Sequence, residues 1–319
     1  MKRKLLVILS ITIIAALLLS GCGGSNSSSN VEEESNDLAN KEITVILKNL
    51  TNPFWISVKE GAEAAGKDFG VNVKVLAPLK ADNNEEQSQM VEQAIANQTD
   101  IVVLTPSDST GIIPAAKKLN EAGIPIVNLN TKIEGNTVNV ETFIAIENFD
   151  AGYQTVTRLC EMMGGKGKMF IIEGVTGAQT SIDRVKGAIA ALKNFPEIEL
   201  VARQSGEYNR AKAMDVVQNL LQAYPDVNGI FCCNDEMALG AVEAIASAGK
   251  TGQILIAGID ANADAREAIK EGKMALTCDS QPFNQGYQGV ACAVKVLQGE
   301  KLDDFVKLDI KVLGKEDIE

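Results

Sequence analysis

The chain has 319 residues, a formal net charge of −12 and no histidine. This acidity excludes nucleic-acid binding through a basic surface, because such binding depends on neutralising phosphates with lysine and arginine. The length is more than one hydrophobic core usually needs, so we expect two domains.

The N-terminus has the pattern of an export signal. Basic residues at positions 2–4 precede an uncharged apolar run over 5–19, which is short for spanning a bilayer of about 30 Å. The sequence Leu-Ser-Gly-Cys ending at Cys22 resembles the bacterial lipobox, in which the signal is cleaved before a lipidated cysteine. We therefore predict a signal peptide over 1–21, lipidation at Cys22, and a flexible tether over 22–40, which is rich in Gly, Ser, Asn and Glu. A plain cleavage site with a chance cysteine is the alternative.

The remaining cysteines lie in apolar or helical patterns and are predicted to be buried, small apolar side chains; they are Cys160, Cys232, Cys233, Cys278 and Cys292. Their redox state is left open. Without histidine and without a Cys-x-x-Cys pair, a zinc site is not expected. We expect no metal and no cofactor.

From Lys41 onward, short β-branched runs alternate with longer amphipathic stretches. The predicted strands are 43–47, 73–76, 101–104, 124–129 and 143–146, then 169–172, 199–203, 229–233, 254–259 and 275–278, with a last strand over 306–312. The predicted helices are 56–69, 85–97, 114–122, 150–163, 182–193, 211–223, 236–248, 264–271 and 285–298. Apolar strands separated by helices indicate parallel sheets covered on both faces, and the two series indicate two similar α/β domains.

Polar and aromatic residues follow several of these strands, where ligands of parallel α/β sheets bind. Asn52 before Pro53 is a good helix start, but it does not explain Phe54 and Trp55 at the same helix opening. Adjacent aromatic rings there would suit stacking on a sugar. Further candidates at strand ends or helix starts are Asn130, Thr131, Arg184, Tyr208, Asn234, Asp260 and, after the last strand of the second series, Ser280 or Gln281.

Four motifs occur in order along the chain: Asn-Pro-Phe-Trp at 52–55, Asn-Asp-Glu-Met-Ala-Leu-Gly at 234–240, Gly-Ile-Asp at 258–260 and Gln-Pro at 281–282. Together they resemble the ribose-binding-protein branch of the type I periplasmic binding proteins. The resemblance implies two Rossmann-like lobes joined by three crossovers, near 144–147, 279–281 and 306–309. The implied N-terminal lobe is 41–145 plus 281–306, and the implied C-terminal lobe is 146–280 plus 307–319.

The resemblance also implies the pocket, which would consist of Asn52, Phe54, Trp55, Asn130, Thr131, Arg184, Tyr208, Asn234, Asp260 and Gln281. Amide, carboxylate and guanidinium groups together can bind a ring of hydroxyls. The ribose binders have an Asp-Arg pair where this chain has Asn130-Thr131, so another pentose, hexose or polyol is as good a candidate as ribose. Lys48 is interpreted as a solvated lysine at a strand end, with a position facing the cleft as the alternative.

The function that the resemblance implies is capture of a sugar or polyol by lobe closure and its delivery to the permease of an ABC importer. The protein would be a monomer outside the cytoplasm, held at the membrane by its lipid, without nucleic-acid partners. A sensor subunit that reports a sugar or autoinducer-like molecule to a chemoreceptor or membrane kinase is the alternative. A repressor is excluded by the export signal, and an enzyme is not expected because no histidine or phosphate-binding glycine motif is present.

Overall fold

The computed structural model describes residues 38–79 and 83–318. The predicted signal peptide, the lipidation site Cys22 and nearly all of the predicted tether lie outside these residues. Residues Asn40–Glu319 form one compact unit. In the part of the chain that is described, no helix is long and apolar enough to cross a membrane.

The strands follow the predicted alternation with helices. In chain order, β1–β6 are Glu42–Ile46, Asn72–Leu76, Ile101–Leu104, Ile126–Leu129, Thr142–Ile146 and Lys166–Glu173. Strands β7–β12 are Glu197–Ser205, Gly229–Cys232, Leu255–Ile259, Leu276–Asp279, Phe305–Leu308 and Lys311–Leu313.

The helices α1–α5 are Pro53–Phe69, Asn84–Ala96, Ile113–Glu121, Asn148–Met162 and Gln179–Leu192. Helices α6–α9 are Arg210–Ala223, Asp235–Ser247, Ala263–Lys270 and Pro282–Leu297, and a 3₁₀ turn follows at Lys315–Asp317. Asparagine begins several of them: the side-chain oxygens of Asn52, Asn209, Asn234 and Asn262 each accept a hydrogen bond from a first-turn amide.

The strands form two six-stranded sheets, one in each α/β lobe. The first has the order β11-β5-β4-β3-β1-β2 and is parallel throughout, with Ile43 of β1 opposite both Val73 and Ile101. The second has the order β12-β10-β9-β8-β6-β7, and only its edge strand β12 runs antiparallel, to β10. In both lobes, therefore, the carboxyl ends of the parallel strands lie along one edge of the sheet.

In each lobe, apolar side chains of the strands pack against the covering helices and form the hydrophobic core. In the first lobe, Ile46, Leu104 and Ile126 pack with Val91 of α2 and Leu119 of α3 in one buried cluster. In the second, Phe170 and Phe231 are the largest side chains without exposed surface. Burying a large apolar side chain contributes about 1.5–3 kcal/mol, so these layers fix the sheets that present the strand ends.

The chain passes between the two sheets after β5, after β10 and between β11 and β12. The prediction of one final strand over 306–312 was wrong, because β11 pairs with β5 in the first sheet and β12 pairs with β10 in the second. A continuous strand cannot serve two separate sheets, so it breaks between Leu308 and Lys311. The lobe limits drawn from the sequence stay a prediction.

Candidate functional site

The carboxyl ends of strands in both sheets line a cleft with about 370 Å³ of empty space, part of which is open to solvent. The lining residues come from the turns that follow β1, β4, β7, β8 and β9 and from the start of α5; they are Lys48, Asn49, Asn52, Phe54, Trp55, Asn130, Thr180, Arg184, Tyr208, Asn234 and Asp260. All the predicted site residues except Thr131 and Gln281 are among them.

The β1–α1 turn supplies the aromatic part of the lining. Asn52 Oδ1 accepts a hydrogen bond from the Phe54 amide at 2.9 Å, and Pro53 supplies a backbone angle suited to the first helical position. The Phe54 and Trp55 rings meet edge to face, with centroids 4.6 Å apart. They are only 4% and 6% exposed, so both rings lie inside the cleft although Pro53 beside them is exposed.

Lys48 also lies inside the cleft. Its side chain is 3% exposed, and its Nζ is 5.8 Å from the centre of the Trp55 ring and 6.0 Å from that of Tyr208. An ammonium at these distances is attracted by the ring faces. The interpretation of Lys48 as a solvated lysine is wrong, because the two aromatic rings cover it.

Arg184 and Asp260 form the charged part of the lining. The guanidinium donates from Nε to Asn148 Oδ1 at 2.8 Å and from Nη1 to the Cys233 carbonyl at 2.6 Å, and Nη1 lies 3.9 Å from Asp260 Oδ1. Both side chains are 4% exposed. Burial raises the pKa of Asp260 well above its ordinary value, and the nearby positive charge of Arg184 opposes that rise.

Close helix packing determines where Arg184 lies. A Cβ at Gly152 of α4 would overlap the Arg184 carbonyl, and a Cβ at Gly187 of α5 would overlap that of Phe149. The two glycines let α4 and α5 approach until Asn148, at the start of α4, reaches the guanidinium. This contact lies beside the first passage between the sheets.

Tyr208 and Asn234 complete the second lobe's contribution. The Tyr208 hydroxyl shares a hydrogen bond of 3.0 Å with Thr180 Oγ1, and burial raises the pKa of this phenol. The Tyr208 ring lies so close to Gly174 that a Cβ at Gly174 would overlap it. Asn234 Oδ1 accepts from the Met237 amide at 3.0 Å, which commits the oxygen to capping α7.

Asn130 is the first lobe's other polar group. It has φ 61°, in the left-handed region that asparagine tolerates better than most residues. Its neighbour Thr131 is fully buried and does not line the space; its hydroxyl donates to Asn130 Oδ1 at 3.2 Å. Thr131 therefore contacts a lining residue instead of the cleft.

Gln281 is not brought to the cleft either. It caps the start of α9 with φ 54°, and its Nε2 donates to the Asp309 carbonyl at 2.7 Å, between β11 and β12. Its side chain thus points to the third passage between the sheets. The prediction that Gln281 lines the pocket was not matched by the geometry.

Several residues near the cleft were not predicted from the sequence. Asn49 Oδ1 accepts from the amides of Thr51 and Asn52 and shapes the first turn. Thr180 contacts Tyr208, and Asn148 contacts Arg184. A usable signal existed for Asn49 and Thr180, since both stand in the same polar turns as predicted residues. No such signal existed for Asn148, because it follows β5, after which the chain passes to the other lobe.

The described residues contain no cluster of three or more cysteine and carboxylate side chains that could hold a metal ion. Cys160, Cys232, Cys233, Cys278 and Cys292 are free and buried. Burial raises the pKa of Cys160, Cys233 and Cys278 to about 12, which keeps these thiols protonated.

The family described as "Periplasmic binding protein domain" matches residues 43–301. The ribose import binding protein RbsB of Bacillus subtilis (strain 168) is 34% identical over 316 residues, covering 98% of this chain and 99% of that protein. The D-allose-binding periplasmic protein of Escherichia coli (strain K12) is 33% identical over 283 residues, covering 85% of this chain and 91% of that protein.

Among solved structures, an ABC transporter periplasmic solute binding protein from Actinobacillus succinogenes 130z with bound D-allose has a TM-score of 0.83 and 34% identity, covering 87% of this chain and 98% of that one. An ABC transporter solute binding protein from Agrobacterium vitis with bound D-fucose has a TM-score of 0.83 and 31% identity, covering 87% and 97%. The family match spans most of the chain, and both lobes share the fold of these structures. The chain belongs to the periplasmic binding protein family.

Proposed function

We propose that this protein captures a sugar or polyol outside the cytoplasm by closing its two lobes, and delivers it to the permease of an ABC importer. The observation that carries the proposal is the lining of the cleft, in which an aromatic pair, amides and the buried Arg184–Asp260 pair come from both lobes. A ligand bound there contacts both lobes at once, so it stabilises the closed state by its differential affinity.

The chemistry of the lining fits a small polyhydroxylated ring. Phe54 and Trp55 offer apolar surface to its C–H face. Asn52, Asn130 and Asn234 each offer an amide, Asp260 accepts from hydroxyls, and Arg184 donates. Lys48 adds a further donor beside the rings. Tyr208 and Thr180 close the lining from the second lobe.

The relatives support the sugar class. Their names and titles give D-allose, ribose and D-fucose as ligands, and another structure, 25% identical with a TM-score of 0.82, holds myo-inositol. The neutral Asn130-Thr131 pair stands where the ribose binders have Asp-Arg, and we therefore place hexoses and polyols beside ribose among the candidates. The relatives are binding and import proteins, which favours delivery over a sensor role and over catalysis.

The location and partners of the chain follow from the same proposal. A signal peptide over 1–21 and a lipid on Cys22 would hold the protein at the outer face of the membrane, with 22–40 as tether. We propose a monomer, since one chain contributes both walls of the pocket. Metabolic labelling with a radioactive fatty acid, compared between the natural chain and Cys22→Ala, tests the anchor; equal labelling would refute it.

A thermal-shift screen of the purified protein tests the ligand class. D-Allose, D-ribose, D-fucose, D-glucose and myo-inositol are compared with amino acids at equal concentration. A sugar or polyol at about 100 times its dissociation constant should stabilise the folded state by about 2.7 kcal/mol and raise the unfolding midpoint. If only an amino acid raises the midpoint, the ligand class is wrong although the family is right.

A further inference from the structure

A fully buried glutamine lies behind the pocket, on the side of the passage from β10 to α9. Gln285, in the first turn of α9, has no exposed surface. Its Oε1 accepts a hydrogen bond from Asn130 Nδ2 at 2.8 Å, and its Nε2 donates to the Ser280 carbonyl at 2.6 Å. One side chain thus connects a lining residue of the first lobe with the backbone between the lobes.

The Ser280 carbonyl fixes the direction of these hydrogen bonds. A carbonyl oxygen only accepts, so Gln285 must turn its Nε2 towards Ser280 and its Oε1 towards Asn130. Asn130 must then present its Nδ2 to Gln285, which leaves its Oδ1 on the other side of the amide, where the Thr131 hydroxyl donates to it. The orientation of a lining amide is therefore set by a backbone carbonyl outside the lining.

The same segment also reaches the second lobe. The Ser280 hydroxyl donates to Asp260 Oδ1 at 3.4 Å, and Ser280 has no exposed surface. A chain of hydrogen bonds consequently runs from Asn130 through Gln285 and Ser280 to Asp260. Its two ends line the cleft from opposite lobes.

We propose that Gln285 is a positioning residue for sugar recognition, which sets the amide orientation of Asn130 and ties it to the passage between β10 and α9. Gln285 itself is absent from the lining, so it acts through Asn130. The oriented Oδ1 of Asn130 has a second lone pair besides the one that accepts from Thr131, and that lone pair favours a ligand group that donates a hydrogen bond, as a sugar hydroxyl does. The proposal rests on the proposed function, because it concerns the same pocket.

A glutamate at this position gives a test that needs no ligand. In Gln285→Glu, a protonated carboxyl can donate to the Ser280 carbonyl and accept from Asn130, as the amide does. An ionised carboxylate only accepts and would face the Ser280 carbonyl. Burial raises the pKa of such a group above its unfolded value, so the stabilisation is present at low pH and is lost as pH rises. In Gln285→Leu the side chain has no polar atoms, so the variant should not regain stability at low pH.

The measurement is the unfolding midpoint of each variant relative to the natural chain at pH 5 and at pH 8. At pH 5 we expect the midpoint of Gln285→Glu to be close to that of the natural chain, and at pH 8 to be lower by at least about 4 °C. The midpoint of Gln285→Leu should be lower by at least about 4 °C at both pH values. Gln288→Glu and Gln288→Leu, at a half-buried position of the same helix, are the matched controls and should show neither effect. Equal midpoints for Gln285→Leu and the natural chain would overturn the proposal.

The second measurement separates positioning from stability. Titration calorimetry with D-allose and D-glucose, which differ in configuration at one carbon, gives an affinity ratio. Gln285→Leu should weaken binding of the preferred sugar at least about 10-fold and change the ratio, because the Asn130 amide is no longer oriented. An unchanged ratio would reduce Gln285 to a structural role and overturn the proposal. If the natural chain binds no sugar, the proposed function fails and the positioning role fails with it. The higher midpoint of Gln285→Glu at pH 5 than at pH 8, relative to the natural chain, would still show that the hydrogen bonds of Gln285 exist.

Discussion

At the residue scale, the buried ion pair is the clearest determinant of the pocket. Arg184 is held by Asn148 and by the Cys233 carbonyl, independently of Asp260, so the guanidinium keeps its place when the carboxylate changes. Asp260 has φ 136°, and its amide donates to the Cys278 carbonyl at 2.8 Å. The backbone thus positions the carboxyl group in the lining, beside Arg184.

Asp260→Asn should change both ligand binding and stability, and the two effects can be measured separately. The amide keeps the shape of the side chain but replaces one strong acceptor with a donor, so we expect sugar affinity to fall at least about 10-fold, or about 1.4 kcal/mol. The free energy of unfolding should also fall, because the buried Arg184 guanidinium loses its counter-charge, and removing one partner of a buried pair typically costs about 3–5 kcal/mol. Calorimetry and urea unfolding measure the two quantities. Natural affinity in this variant would remove Asp260 from the site.

At the element scale, one buried carboxylate joins two helix starts and a strand of the second lobe. Asp235, at the start of α7, accepts from Thr277 of β10 at 2.7 Å and from the Asn262 amide at the start of α8 at 3.0 Å. A Cβ at Gly258 would overlap this carboxylate, which explains the glycine of the Gly-Ile-Asp motif. Asp235 thereby supports the turn that carries Asp260.

This arrangement makes stability depend on pH. Burial raises the pKa of Asp235 to about 7, although hydrogen bonds from Thr277 and Asn262 oppose the rise. Between about pH 4 and pH 7 the folded state therefore binds a proton that the unfolded state has lost, and the free energy of unfolding falls as pH rises, by at most about 1.4 kcal/mol per pH unit from this group. The stabilisation is complete below about pH 4.

Asp235→Asn should flatten that slope, because the amide does not titrate and can still accept from the Asn262 amide. Urea unfolding at several values between pH 4 and pH 7.5 measures the slope. Asp264→Asn, which removes a 64% exposed carboxylate from the start of α8, is the control and should keep the natural slope. A slope of natural size in Asp235→Asn would contradict the assignment. Some slope should persist, since burial raises the pKa of Asp260 as well.

The sequence predicted the repeating elements well because strand and helix periods are local properties. The two Rossmann-like lobes and the family resemblance are confirmed by the sheets, the family match and the relatives. Errors arose where tertiary structure decides. One apolar run over 306–312 could not reveal that its halves join different sheets. Lys48 looked like a surface lysine because one of the two rings beside it, Tyr208, comes from the other lobe.

Site prediction had the same limit. Asn52, Asn234 and Asp260 stand directly at strand ends or helix starts, where the fold class places ligands, and they meet at the cleft. Gln281 directly precedes α9 and Gln285 lies in its first turn, and it is Gln285 that contacts Asn130. The backbone at Gln281, with φ 54°, turns the side chain of Gln281 elsewhere. No pattern of residue types encodes that angle. The ligand roles of all these residues stay a prediction.

At the scale of the whole molecule, the lining drawn from both lobes predicts a change in compactness. The lobes are joined by three passages, so a ligand that contacts both walls should shift the population towards the closed form. Small-angle scattering with saturating D-allose, or the best sugar from the thermal screen, should give a smaller radius of gyration than the free protein. At a sugar concentration close to the natural chain's dissociation constant, Asp260→Asn should be less compact than the natural chain. Identical profiles with and without ligand would argue against closure.

The position of the chain's single tryptophan has a practical consequence. Trp55 lines the cleft, and the Lys48 ammonium lies 5.8 Å from its ring. All indole emission therefore originates at the place where the solute would bind, and it senses a cation there. The intensity and wavelength of that emission therefore report occupancy of the pocket without an added label, and no other tryptophan contributes to the signal. Stopped-flow mixing could follow solute capture in real time on the unmodified chain.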